Sequence, residues 1–119
     1  MAAKGDDIQE RLINFVAMII ELCFALPNTH VGKHIAGQLL RRGTSPASNY
    51  GQVRGVESKN DFVYKLGIVL KELNESGIWL EIIKRSNLLP INQLLNLVKE
   101  CDELSKIISS SIRTRGKKS

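Results

Sequence analysis

Aromatic side chains are few: three Phe, two Tyr and one Trp make up 5% of 119 residues. A β-sandwich would draw on more Val, Thr, Tyr and Phe, so the Leu- and Ile-rich balance points to packed helices. Cysteine is limited to Cys23 and Cys101. Both fall on the apolar side of a predicted helix, where they read as small buried hydrophobes, not as a disulfide or a metal pair. Histidine occurs only at His30 and His34, and the residue three after Glu72 is Glu75. The Glu-x-x-His ligand pairs of a di-iron bundle are therefore absent. There is no Gly-x-Ser-x-Gly elbow, and Gly-Lys occurs only at Gly32-Lys33 and Gly116-Lys117, without a phosphate loop around it. No acid–base pair with a nucleophile can be assembled, so the chain reads as a non-enzyme without metal or cofactor. The longest apolar stretch, Phe15 to Ile20, is too short to span a bilayer. The first residues, Met1-Ala2-Ala3-Lys4-Gly5-Asp6-Asp7, put acids where a signal peptide needs bases. With reduced thiols, the expected setting is cytoplasmic and no membrane partner is expected.

What is present is a hydrophobic content of 43%, enough for one globular domain over 1–119. The spacing predicts four helices. In the first, starting near Asp6 or Asp7, the seam is Ile8, Leu12, Phe15, Ile19, Leu22 and Leu26, and Pro27 ends it. The second starts after Asn28 or Thr29 and packs through Gly32, Ile35, Ala36, Leu39, Gly43, Ala47 and Tyr50. Pro46 predicts a kink near 43–46 in a single helix running to about Arg54, with two shorter helices as the alternative. The third, capped by Ser58 or Asn60, runs to about Arg85 on Phe62, Leu66, Val69, Leu73, Ser76, Leu80 and Ile83. The fourth starts near Pro90 and carries Leu94, Val98, Cys101, Leu104, Ile108 and Ile112 to about Arg113, followed by a flexible basic tail at 114–119. Short connections make neighbouring helices antiparallel, giving an all-α, up-down-up-down four-helix bundle. Ile78, Trp79 and Ile82 lie off the third seam, and another subunit is the simplest surface to cover them.

The formal net charge is +5. Arg113, Arg115, Lys117 and Lys118 gather at the end, where they would either follow a phosphate backbone or remain a solvated terminus. Two polar stripes accompany the seams. Gln38, Arg42, Ser45, Asn49 and Gln52 recur at helical spacing on the second helix, and Lys65, Glu72, Glu75 and Trp79 share a flank of the third. One reading is an internal network in which Arg42, Ser45 and Asn49 meet Glu72 and Glu75. The other is a subunit junction or ligand groove. The pattern supports both equally.

At these residues the chain resembles a known family. The matching positions are Gln38 to Ser45, Asn49 and Tyr50, Asp61 and Phe62, Lys65 and Leu66, and Lys71 to Leu80. Together they are similar to the bacterial four-helix-bundle proteins encoded in intervening sequences of large-subunit ribosomal RNA genes. The resemblance implies a four-helix subunit in a ring-shaped homopentamer. That family is in turn similar to the accessory variability determinant of diversity-generating retroelements, a basic pentameric barrel that associates with nucleic acid and a reverse transcriptase. The family usually has Glu in place of Gln52 and often Ser in place of Arg42, which makes the second-helix stripe here more positive. The function expected is a non-catalytic oligomer associating with RNA or DNA through Lys33, Arg41, Arg42 and the terminal basics. The alternative is an oligomeric scaffold whose partner is another protein.

Overall fold

The computed structural model describes residues 4–56 and 58–117. Within them the chain forms α1 (Lys4–Ala25), α2 (His30–Val53), α3 (Lys59–Arg85), a single 3-10 turn at Ile91–Gln93, and α4 (Leu95–Lys117), with no strand among the described residues. The helices alternate in direction as a four-helix bundle measuring 49 × 27 × 20 Å. α2 packs on α1 and α3, and α4 on α3, while the α1–α4 seam is the thinnest.

The four-three repeats translate directly into burial. Ile8, Leu12, Phe15, Ile19, Leu22 and Leu26 of α1 are all buried, as are Leu66, Val69, Leu73, Ser76, Leu80 and Ile83 of α3. Phe62 at the foot of α3 is half-buried. Ser76 enters the apolar seam because its hydroxyl donates to the Glu72 carbonyl at 2.7 Å, so no polar group is left unmet. Leu94, just before α4, begins a buried line that continues on α4 through Leu97, Cys101, Leu104 and Ile108.

The helix ends follow local chemistry. Thr29 caps α2 by accepting from the Gly32 amide at 3.0 Å, and Ser58 caps α3 by accepting from the Asp61 amide at 3.3 Å. A Cβ at position 32 would run into the Pro27 carbonyl, so the α1–α2 corner needs glycine there. Gly43 lets α1 approach closely, since a Cβ would lie 2.9 Å from the Ile19 side chain. α3 ends in a Schellman motif. The Leu88 amide donates to the Ile83 carbonyl and the Asn87 amide to the Lys84 carbonyl, with Asn87 in the left-handed region at φ 56.

Three boundaries differ from the spacing-based expectation, while α2 is the single helix that was expected. α1 begins at Lys4, so Asp7 is inside the helix and not its cap. α2 is one uninterrupted helix through the buried Pro46, so the two-helix alternative does not apply. α4 starts after Pro90, because Pro90 is extended (ψ 142) and caps the 3-10 turn. α4 also continues past Arg113 through Thr114 and Arg115 to Lys117, so 114–117 forms its last turn; Lys118 lies outside the described residues.

Candidate functional site

The two polar stripes meet along the α2–α3 seam. The Ser45 hydroxyl donates to Glu72 Oε2 at 2.8 Å. The Arg42 guanidinium lies between two carboxylates, 3.6 Å from Glu72 Oε1 and 3.5 Å from Glu75 Oε2. Glu72 is buried, while Arg42, Ser45 and Glu75 are half-buried. Glu75 Oε1 is buried without a hydrogen-bond partner among the described residues, so the seam holds more acceptor capacity than it satisfies. Gln38 and Asn49 are half-buried on the same flank of α2 but join no hydrogen bond with described residues, and Gln52 is exposed. The internal network therefore consists of Arg42, Ser45, Glu72 and Glu75.

Arg42 occupies this seam and its guanidinium is directed at carboxylates. The other predicted basic positions are placed differently. Lys33 and Arg41 are exposed on α2 without an acidic partner among the described residues. Arg113 donates to the Ser109 hydroxyl at 2.9 Å. The Arg115 guanidinium stands 4.5 Å from the centre of the Phe62 ring, a cation–π placement that also covers the ring. Lys117 is in the last turn of α4. Lys33 is in the first turn of α2 and Arg41 midway along it, while Arg113 and Arg115 are near the end of α4.

Trp79 is half-buried, its indole edge-on to the His34 ring of α2 at 6.2 Å between centroids. The chain thus supplies part of the indole's cover itself. Ile78 and Ile82 remain exposed. A second apolar surface has no counterpart in the sequence-based expectation: Ile13, Ala17, Ile20 and Phe24 form an exposed stripe on α1, with Phe24 87% exposed. Its four-three-four spacing was available as a signal, one flank away from the buried seam.

Across the α1–α4 seam, Arg11 takes the place of apolar packing. Its Nε and Nη2 donate to Glu100 at 3.0 and 2.6 Å, and Nη2 also reaches Glu103 at 3.0 Å. The Glu100 hydrogen bond raises the Arg11 pKa above its already high ordinary value, against a smaller opposing effect of burial. At the foot of this seam a cleft of about 890 Å³ opens, floored by Ile8, Tyr50, Phe62 and Ile107.

The cysteines are free. Cys101 is buried and donates to the Leu73 carbonyl at 3.2 Å, and burial pushes its thiol up to about 12. Cys23, half-buried, donates to the Ala36 carbonyl at 3.6 Å and is also raised by burial. Among the described residues no cluster of three His, Cys, Asp or Glu could hold a metal ion, and no helix is long and apolar enough to cross a membrane.

No curated protein matches the chain. Among solved structures, a protein of unknown function from the S23 ribosomal protein family of Bacteroides thetaiotaomicron is similar, with 30% identity and a TM-score of 0.85. That match covers 93% of this chain and 99% of the other. Residues 6–110 match the 23S rRNA-intervening sequence protein family, a span that includes α2, α3, most of α1 and α4, and both polar stripes. By sequence over that span and by its four-helix fold, the chain belongs to the 23S rRNA-intervening sequence protein family.

Proposed function

We propose that the chain is a non-catalytic subunit of a homo-oligomeric ring that associates with nucleic acid, RNA foremost, through exposed basic side chains. The observation that carries this reading is a pair of exposed apolar clusters on two different helices, apart from the scattered exposed Val31, Leu40, Tyr64, Ile91 and Leu95. One is the α1 stripe of Ile13, Ala17, Ile20 and Phe24; the other is Ile78 and Ile82 beside Trp79 on α3. A closed dimer buries one patch against its own copy, whereas a ring is built when one face meets a different face of the next subunit. Exposed apolar surface of this kind marks an interaction site more often than a solvated wall. A pentameric count, and a reverse transcriptase as a further partner, are what the family resemblance adds.

The nucleic-acid half rests on Lys33, Arg41, Arg113 and Arg115, which are exposed and have no acidic partner among the described residues. Phosphate contacts from such side chains supply affinity without reading bases, and that affinity falls steeply with salt. The scarcity of free aromatic platforms fits backbone tracking better than base readout.

Light scattering on the purified chain, followed by gel-shift titration of structured RNA at two salt concentrations, tests both halves. The expected result is a closed assembly that shifts RNA at low salt and loses it as salt rises. Ile20→Lys and Ile78→Lys should each break the ring. Mixed together, the two variants retain one intact pair of faces and should form a two-chain complex. A lone subunit in dilute solution removes the ring. An assembled protein with no RNA shift at low salt leaves a protein scaffold instead.

A further inference from the structure

We propose that the cleft at the foot of the α1–α4 seam binds a long-chain carboxylate, an apolar tail carrying one anionic head. This site is separate from the two apolar faces and from the α2–α3 network. Its floor takes one residue from each helix: Ile8 of α1, Tyr50 of α2, Phe62 of α3 and Ile107 of α4. At about 890 Å³ it falls in the range of small-molecule sites, which are mostly apolar with a few polar groups that fix orientation.

Those polar groups are predominantly cationic. Arg11, Arg54, Lys106 and Arg115 line the cleft, against Asp7 as the one carboxylate in the lining. Three of the four already have partners: Arg11 is balanced by Glu100 and Glu103, Lys106 by Asp102 at 3.0 Å, and Arg54 is engaged in a contact of its own. Arg115 is different. It rests on Phe62 with no acidic partner among the described residues, so uncompensated positive charge stands beside the apolar floor. The Ser110 and Thr114 side chains also line this end, while the Ser111 hydroxyl is spent on the Ile107 carbonyl at 3.0 Å. One unneutralised guanidinium with hydroxyls nearby suits a monoanionic head. The floor of two isoleucines and two aromatic rings is mostly apolar, and it suits a hydrocarbon chain.

The test is isothermal titration of the full chain with decanoate, dodecanoate and dodecyltrimethylammonium, all below their micelle concentrations. Dodecanoate should saturate at one per chain, and decanoate should bind about tenfold more weakly because it has two fewer methylenes to bury. The cationic amphiphile should not bind. Arg115→Glu, placed in the last turns of α4 where the fold should tolerate it, should weaken dodecanoate by about tenfold or more, the loss of one charge-assisted contact. Arg85→Glu at the opposite end should change nothing. Equal binding of both head groups, an unaffected Arg115→Glu variant, or uptake of many molecules per chain would overturn the proposal. So would flotation with phosphatidylglycerol vesicles in the absence of dodecanoate binding, because the surface would then be reading a bilayer.

Discussion

The α2–α3 and α1–α4 seams run along the same bundle but are closed by different means. Between α2 and α3, Arg42, Ser45, Glu72 and Glu75 sit half-buried or buried beside a continuous apolar line, and Leu66, Leu73 and Leu80 behind them are sealed from water. Between α1 and α4, a half-buried Arg11 bridges to Glu100 and Glu103, and below it the helices leave a cleft. Polar groups backed by a packed core depend on one another, since removing one strands the rest. Polar groups at a rim act more as separate contacts screened by water and salt. The first seam is therefore expected to set helix register, and the second to be where the bundle can admit something else.

Four measurements sharpen or break that contrast. The largest expected effect compares core truncations by urea denaturation. Leu73→Ala, in the sealed region, should cost about 3 kcal/mol, and Ile107→Ala, beside the cleft, roughly 1 kcal/mol. Equal losses would mean that the cleft is packed as tightly as the core. Next is Glu72→Ala, which leaves Arg42 and the Ser45 hydroxyl without their partner and should cost about 2 kcal/mol. Glu72→Gln should cost less because it keeps an acceptor for Ser45.

The third concerns pH. The Cys101 thiol is raised by burial from 9.0 to about 12 in the folded chain, so the unfolded chain loses this proton first. Its contribution is complete below about pH 9 and is lost as pH climbs towards 12, with a slope of up to about 1.4 kcal/mol per pH unit. Cys101→Ala should show a flatter decline over that window than the parent chain. The smallest effect is Arg11→Ala, which should lower stability by about 1 kcal/mol or less and become smaller still in high salt. A loss larger than that of Glu72→Ala would reverse the ranking of the seams.

Much of the fold is legible in the residues because its determinants are local. The four-three apolar repeats of α1 and α3 correspond almost residue for residue to buried positions. The caps at Thr29 and Ser58 need only a short side chain three residues ahead of an amide. The Arg42–Glu72–Glu75 contact was only one of two readings that the stripes supported equally, and the choice between them waited on the helix register. The Arg11 bridge was not readable, because it joins residues 89 and 92 positions apart and depends on the register of α1 against α4. Glu100 and Glu103, one helical turn apart, were the available hint. Asn87 in a left-handed cap and the 3-10 turn after Pro90 depend on how α3 hands over to α4, which helical periodicity does not encode. The cleft depends on four helix ends at once.

Pro46 carries a consequence for motion. Lacking an amide hydrogen, it leaves the Arg42 carbonyl without its usual donor inside α2, and the nearest hydroxyl, Ser45 Oγ, is 3.5 Å away and also donates to Glu72. The helix thus has a missing rung at the level where its arginine leans on α3. Deuterium uptake along α2 should divide there, with the half after Pro46 free to breathe alongside the cleft while the half before it stays locked to the α1 corner.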